Sequence, residues 1–140
     1  MVDIDAYKSY NDHYGHQRGD DGLRKIAQTI ASSARRPPDI VARYGGEEFA
    51  LILNDTDLHG AQVVAERIRL AVENLQIPHL AADTGVVTVS LGVAAQHVLQ
   101  GGDASSLVAA ADEALYLAKR RGRNQTCVAE NGDAGLGAWV

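Results

Sequence analysis

Cysteine is nearly absent from this 140-residue chain, in which Cys127 is the single example. One thiol excludes an internal disulfide framework and any metal site built from several cysteines, and it is typical of a reducing compartment such as the cytosol. We expect Cys127 to be a small buried residue of the last strand. The five histidines show no helical or strand spacing that would gather them as metal ligands: His13, His16, His59, His79 and His97.

Long apolar runs and clusters of basic residues are also missing. No stretch of about 18 apolar residues could span a bilayer, and the first residues have neither the charged nor the apolar region of a signal peptide. The formal net charge is −5, which disfavours binding to a nucleic-acid polymer or an anionic membrane surface, because such binding needs clustered Lys and Arg. We therefore expect a cytoplasmic domain that holds any anionic ligand through a metal ion or a few placed cations.

The chain is rich in apolar residues, at 46% of its composition, which suffices for one core. Sequence periodicity predicts helices at residues 20–35, 56–75 and 103–122, and strands at residues 2–5, 39–44, 49–53, 84–95 and 125–129. The resulting order contains the β-α-β-β-α-β pattern of ferredoxin-like and polymerase-palm-like sheets, with one added helix and strand. We therefore predict an α/β fold of the α+β type, followed by a disordered tail at residues 131–140.

Two glycines and two glutamates lie together in the stretch from Arg43 to Leu53. Gly45 and Gly46 predict a two-residue hairpin turn with positive φ angles. A turn of this kind explains the glycines and leaves Glu47 and Glu48 unexplained. We assign four apolar or aromatic side chains mainly to the core: Tyr44, Phe49, Leu115 and Tyr116.

Another acidic pair lies in the first predicted strand, where Asp3 and Asp5 alternate with Ile4 and so share one face. A solvated edge strand would explain the pair equally well. In a palm-like sheet, however, this strand lies beside the hairpin, so that Asp3 approaches Glu47 and Glu48. Carboxylates this close repel one another unless a divalent cation lies between them, and oxygen ligands favour Mg²⁺ or Mn²⁺ over zinc.

Residues 6–20 form a polar, aromatic segment punctuated by glycine. A surface loop with a capping aspartate would account for it. In a functional interpretation, Lys8 neutralises phosphate oxygens, while Asn11 and Asp20 offer an amide and a carboxylate to the edge of a guanine base. The segment alone does not decide between these two interpretations.

Taken together, several separate motifs resemble the GGDEF family of diguanylate cyclases, in the family's order and spacing, over residues 2–128. The signature is present in its Gly-Gly-Glu-Glu-Phe form. The motifs that carry the resemblance are Asp3-Ile4-Asp5, Lys8, Asn11-Asp12, Gly15-His16, Gly19-Asp20, Arg43-Tyr44-Gly45-Gly46-Glu47-Glu48-Phe49, Thr88-Val89-Ser90-Leu91-Gly92-Val93, Ala111-Asp112-Glu113-Ala114-Leu115-Tyr116-Leu117-Ala118-Lys119 and Gly122-Arg123-Asn124.

The resemblance implies a role for each matching residue. Glu47 corresponds to the general base for an attacking 3′-hydroxyl, and Lys8 is the second catalytic residue. Asn11 and Asp20 correspond to the pair that reads guanine. The implied ligands of Mg²⁺ or Mn²⁺ are Asp3, the backbone carbonyl of Ile4, Glu47 and Glu48. The implied contacts to the triphosphate come from the backbone of Ala6 and Tyr7 and from the side chains of Lys8, Lys119 and Arg123.

A further motif, Arg36-Pro37-Pro38-Asp39, resembles the family's R-x-x-D product-inhibition site, with Arg67 in the position of a supporting arginine. An arginine fork can grip a phosphate or a guanine edge, and the aspartate can accept hydrogen bonds from the base. An ordinary helix stop with surface charges is the alternative interpretation.

The implied function is condensation of two GTP molecules into cyclic di-GMP, with release of pyrophosphate, across a homodimer in which each subunit delivers one GTP. Cyclic di-GMP would also bind at the inhibitory site. Two alternatives belong to other classes: a non-catalytic module that senses GTP or cyclic di-GMP, and a purely structural dimerisation module. GTP turnover distinguishes the enzyme from both.

The resemblance also implies domain boundaries. Residues 1–130 would form the domain, without the helix that usually precedes the first strand in this family. We therefore expect a piece of a larger, possibly membrane-bound, bacterial protein, with an upstream sensory or receiver domain, and a short first strand with exposed core.

Overall fold

The computed structural model describes residues 1–97 and 103–129, and the predicted tail lies outside these residues. Nine helices and strands follow one another in the described chain: β1 (Val2–Ile4), α1 (Tyr7–Tyr14), α2 (His16–Ser33), β2 (Ile40–Arg43), β3 (Glu48–Ile52), α3 (Leu58–Glu73), β4 (Val89–Val93), α4 (Ala104–Arg120) and β5 (Thr126–Val128). The sheet has the order β2-β3-β1-β4-β5, with β1 antiparallel to both of its neighbours. The first four strands have the arrangement of a ferredoxin-like sheet, and α4 and β5 are added to it. The predicted fold class is confirmed.

The two faces of the central strand β1 have different surroundings. Val2 and Ile4 are buried in the main hydrophobic core together with Ile26 and Ile30 of α2 and Ile68 of α3. On the opposite face, Asp3 and Asp5 are buried as well, although both are acids. The alternation of apolar and acidic residues therefore places a core on one side of β1 and two buried carboxylates on the other.

Helix α4 packs closely on β4 because Gly92 has no side chain. A Cβ atom built at this glycine would lie 2.1 Å from the backbone oxygen of Ala111 and 2.2 Å from the backbone nitrogen of Leu115. Since both of these atoms belong to the backbone of α4, a side chain at position 92 would have to move the helix.

The end of α4 forms a Schellman motif, in which Gly122 N–H donates to Lys119 and Arg123 N–H donates to Ala118. Gly122 has a φ of 119°, and the next two residues, Arg123 and Asn124, also have positive φ angles of 62° and 46°. The predicted glycine stop is present, and it continues into a left-handed segment that the sequence did not indicate.

The structure corrects the prediction of a loop in residues 6–20, because Tyr7–Tyr14 form helix α1. Only Tyr10 of α1 is buried, so the segment has no apolar stripe from which a helix could be recognised. Gly15, with a φ of 88°, separates α1 from α2. Helix α2 consequently begins at His16, four residues before the predicted start.

The predicted hairpin turn is also wrong in its type. Neither Gly45 nor Gly46 is in the left-handed region. The loop between β2 and β3 covers residues 44–47, and Arg43 and Phe49 face each other in the register of the two strands. The side chain of Arg43 stabilises the loop instead, since its Nε donates to the carbonyl of Gly45 at 3.2 Å and its Nη2 to that of Gly46 at 2.7 Å.

Other sequence predictions have mixed outcomes. The strand predicted over residues 84–95 is shorter, because a turn at Gly85 precedes β4. Cys127, Phe49 and Leu115 are buried as expected, whereas Tyr44 and Tyr116 are exposed. Tyr44 follows the end of β2, and Tyr116 lies on the outer face of α4 under the guanidinium of Arg120. In the described part of the chain, no helix is long and apolar enough to cross a membrane.

Candidate functional site

The acidic residues of β1 and β3 meet at one end of the sheet. Asp3 faces Glu48 in the register of these strands, and Ile4 N–H donates to the carbonyl oxygen of Glu47 at 3.1 Å. Asp3 is almost fully buried, whereas Glu47 and Glu48 are half-buried. The backbone therefore brings together the four residues that the sequence predicts as metal ligands.

Lys119 of α4 reaches across to this acidic end, where its Nζ lies 2.8 Å from Oδ1 of Asp3. Burial raises the pKa of Asp3 to about 6, and the charges of Glu47 and Glu48 act in the same direction. Lys119 opposes the increase in pKa through its hydrogen bond and its positive charge. Desolvation is the stronger effect, so the site makes a negative charge on Asp3 costly unless a further cation is near.

The donor set suits a hard divalent cation, because it offers three carboxylates and a backbone carbonyl. Apart from the ion pair with Lys119, the buried Oδ1 of Asp3 has no hydrogen-bond partner. Within residues 1–97 and 103–129, no three Asp, Glu, His or Cys side chains converge on one point. The side chains of Glu47 and Glu48 would therefore have to turn toward Asp3 to complete a metal site.

Asp5 differs from Asp3 in having partners for both of its carboxylate oxygens. Oδ2 accepts from the hydroxyl of Thr88 at 2.8 Å and from the backbone N–H of Asn124 at 3.0 Å, and Oδ1 accepts from the hydroxyl of Ser90 at 2.6 Å. These hydrogen bonds engage both carboxylate oxygens of Asp5, so Asp3 is the better candidate metal ligand of the two alternating acids.

Helices α1 and α2 meet where the side chain of Asn11 lies against Gly19, the residue before Asp20. A Cβ atom built at Gly19 would lie 1.6 Å from Oδ1 of Asn11, so the Asn11 side chain fits directly over this glycine. Oδ1 of Asn11 is buried without a hydrogen-bond partner. Asp20 lines a cavity of about 510 Å³ together with Leu23, Arg43 and others. The two residues predicted to read guanine thus lie at one junction, beside a cavity.

A left-handed turn connects β1 to α1 at Ala6, whose φ is 52°. Its carbonyl accepts two hydrogen bonds at 3.0 Å, from the backbone N–H of Tyr10 and from Nε2 of His79. His79 is completely buried, and its ring lies edge-on to that of Tyr10. Sequence analysis missed this role of His79, because the histidine is 73 residues from Ala6 along the chain.

The three predicted phosphate-binding cations differ in their surroundings. Lys8 lies in the first turn of α1 and is exposed. Lys119 is held by Asp3, and Arg123 is exposed on the left-handed segment after α4. In the described part of the chain, the guanidinium of Arg123 forms no ion pair.

The predicted inhibitory residues lie apart from the acidic site. Arg36 forms an ion pair with Asp39 at 3.3 Å and also donates to the carbonyl of Asn54, whose N–H donates to Asp39. Arg67 donates to the carbonyl of Ser33 at 3.2 Å. The described residues show no hydrogen bond between Arg67 and the Arg36–Asp39 pair.

Comparison with known proteins identifies the family. The family model described as "Diguanylate cyclase, GGDEF domain" matches residues 1–125. Diguanylate cyclase A of Treponema denticola is 44% identical over 131 residues, which cover 94% of this chain and 34% of that protein. The chain belongs to the GGDEF domain family of diguanylate cyclases.

Two solved structures resemble the fold. The GGDEF domain of DgcB from Caulobacter crescentus, solved in complex with c-di-GMP, is 39% identical and has a TM-score of 0.82, covering 93% of this chain and 75% of that one. The active GGEEF domain of a diguanylate cyclase from Vibrio cholerae is 32% identical with a TM-score of 0.77, covering 93% and 80%. The chain spans 26–34% of the length of the first curated relatives.

Proposed function

We propose that this chain is a catalytic domain that condenses two GTP molecules into cyclic di-GMP in a reaction that requires Mg²⁺ or Mn²⁺. The observation that carries the proposal is the buried Asp3, paired with Lys119 and adjacent to Glu47 and Glu48. This concentration of acids is costly to fold, whereas a metal-dependent phosphoryl transfer needs it.

Asp3, Glu47, Glu48 and the carbonyl of Ile4 would hold the metal ion. When bound, the ion offsets the negative charge that develops on the phosphate oxygens during the transfer. In the structure Lys119 pairs with Asp3, which leaves the charges of Glu47 and Glu48 without a paired cation among the described residues. A divalent ion would offset the two remaining negative charges of the cluster.

The chain's own residues then position and activate the substrate. Asn11 and Asp20 hold the guanine edge, while Lys8, Arg123 and the backbone of Ala6 and Tyr7 hold the triphosphate. Glu47 accepts the proton from the 3′-hydroxyl as that oxygen attacks the α-phosphorus of the second GTP. The bond from the α-phosphorus to the bridging oxygen breaks, and pyrophosphate leaves. A second, reciprocal transfer closes the ring.

Two copies of the chain are needed for this reaction. One site offers a single acidic cluster and a single guanine junction, so two domains must face each other, each with one GTP. Cyclic di-GMP would bind again at Arg36, Asp39 and Arg67. We further propose that residues 1–130 form the domain and that it works in the cytoplasm, attached to an upstream regulatory domain.

GTP turnover to pyrophosphate tests the proposal, with Glu47→Gln as the matched variant because it preserves the shape of the side chain and removes its charge. We expect the variant to lose activity by about 10²- to 10⁴-fold, the range for a general base. A wild-type chain that binds GTP without turnover, even when dimerised, would support the alternative of a non-catalytic sensing module.

A further inference from the structure

Asp5, the residue that directly follows β1, is an acid that the proposed chemistry does not use. It is buried, yet it accepts three hydrogen bonds, from Thr88, Ser90 and the backbone N–H of Asn124. Ser90 lies in β4, and Thr88 is the residue just before this strand. The third donor is distant in sequence, since Asn124 follows α4. Asp5 thus ties the segment after α4 to the central strand.

The side chain of Asn124 ties the same segment to α3. Its Oδ1 accepts from Arg69 at 3.1 Å and its Nδ2 donates to Glu73 at 2.5 Å. Arg69 is in turn fixed by a two-pronged ion pair with Glu66, whose carboxylate also accepts from Thr126 of β5. The backbone N–H and both polar atoms of the Asn124 side chain therefore have hydrogen-bond partners, which are Asp5 and two residues of α3.

The segment held in this way is strained. Gly122, Arg123 and Asn124 have consecutive positive φ angles, and the left-handed region is unfavourable for an arginine because of its Cβ atom. Strain of this kind persists only where the surroundings determine the conformation, and it is frequent at binding sites. Arg123 lies between Gly122 and Asn124, and its side chain is exposed. Its guanidinium forms no ion pair with the described residues.

We propose that Asp5 and Asn124 are positioning residues that fix the left-handed segment so that Arg123 points at the triphosphate of the substrate. Asp5 holds the backbone of the segment to β1, and the Arg69–Glu73 pair holds the Asn124 side chain to α3. The inference rests on the proposed function, in which Arg123 contacts the phosphates. We call these contacts of Asn124 with Asp5, Arg69 and Glu73 the clamp. It is expected to support binding of the triphosphate and not of the guanine base.

The test measures binding of a non-hydrolysable GTP analogue and of GMP, with Mg²⁺, to the dimerised chain by calorimetry. Asn124→Asp keeps a residue that tolerates positive φ, but it sets a carboxylate against that of Glu73. We expect it to weaken binding of the GTP analogue by about fivefold, the effect of one net hydrogen bond, and to leave GMP binding unchanged. Asn74→Asp is the control, since it makes the same change at the exposed end of α3.

Two further variants show whether the clamp acts through Arg123. Adding Glu73→Gln to Asn124→Asp restores a donor opposite the new carboxylate, and we expect it to recover binding. In an Arg123→Ala background, Asn124→Asp should have no additional effect, because residues that act through one group are not additive. Equal losses for GMP and the GTP analogue, or a full additional loss in the Arg123→Ala background, would overturn the proposal.

Asp5→Ala provides an independent test from the other side of the clamp. It removes the acceptor for the Asn124 N–H, and we expect the same selective loss for the GTP analogue, with Asp5→Asn, which retains an acceptor, largely unaffected. If Arg123→Ala alone leaves binding of the GTP analogue unchanged, then the proposed role of Arg123 is wrong and the clamp has no ligand to position. If the wild type binds normally but yields no cyclic di-GMP, the proposed enzymatic function fails while the clamp is still tested by binding.

Discussion

Lys119 Nζ lies 2.8 Å from Oδ1 of Asp3, and this ion pair joins α4 to the central strand at the acidic end of the sheet. The pair does not abolish the cost of burying Asp3, whose pKa remains raised to about 6. Asp3, the proposed metal ligand, is thus held at a position that is unfavourable for its charged form.

Asp3→Asn should make the metal-free protein more stable above pH 6. Because the pKa of Asp3 in the folded chain is about 6, above its usual value of 3.8, the folded state holds the extra proton between these two pH values. Stability therefore falls as pH rises through this window and stays lower above it. The variant has no such charge, so its advantage should reach about 1–3 kcal/mol at pH 7.5 and vanish near pH 4.

Urea unfolding with a chelator present, at several pH values, measures this difference. Asp83→Asn makes the same change at an exposed position and serves as the control. If wild type were instead the more stable protein at pH 7.5, the ion pair with Lys119 would outweigh desolvation.

Gly19→Ala should weaken binding of GTP by about tenfold, the loss expected for one or two hydrogen bonds. The reason is steric: the new methyl group would occupy the position of Oδ1 of Asn11 and displace that side chain. Gly22→Ala, one turn further along α2, is the matched control because nothing lies within 4 Å of its Cβ position. Similar affinities in the two variants would show that Asn11 does not read the base.

The effect of replacing His79 on the KM for GTP should depend on where the new side chain places its hydrogen-bond donor. Gln places its amide nitrogen near the position of Nε2, which hydrogen-bonds the Ala6 carbonyl, whereas the shorter Asn cannot reach it. We expect His79→Asn to raise KM for GTP by about threefold to tenfold and His79→Gln to raise it less. Steady-state kinetics measure KM, and thermal unfolding shows whether both variants remain folded. Identical KM values in two folded variants would show that the hydrogen bond from His79 to the Ala6 carbonyl does not affect GTP binding.

Arg36→Ala should relieve inhibition by cyclic di-GMP without changing GTP turnover at low product concentration. The guanidinium now bonds Asp39 and the carbonyl of Asn54, and a fork of this kind is the group that would grip the product. Arg36→Lys keeps the charge but loses the fork, so we expect it to lie between wild type and Arg36→Ala. Titration of the product into the turnover assay provides the measurement, and unchanged inhibition in Arg36→Ala would contradict the assignment.

The sheet was predicted well because the apolar residues of its strands recur at clear intervals. The amphipathic helices were predicted well for the same reason. Residues 58–73 and 104–120, for example, form helices capped by Asp57 and Asp103 as their patterns indicate. Helix α1 was missed because it buries only Tyr10. Its stability comes from contacts with α2 and His79, which local sequence does not contain.

The candidate site was also predicted only in part. Its candidate ligands could be recognised from short motifs, whereas the residues that hydrogen-bond to the site from distant parts of the chain could not. The contacts of Asp5 with Asn124 and of Ala6 with His79 span 119 and 73 residues. The pairing of Lys119 with Asp3 likewise depends on how α4 lies on β4, which Gly92 determines through close packing. Such relationships follow from the fold and not from spacing along the chain.

The most direct test of the central claim is to incubate the chain, dimerised by fusion to a parallel coiled coil, with GTP and Mg²⁺ and to quantify the products. We expect cyclic di-GMP and pyrophosphate in a ratio of one to two, because two transfers close each ring, and we expect both products to be lost in Glu47→Gln. Binding of GTP without formation of either product would contradict the central claim.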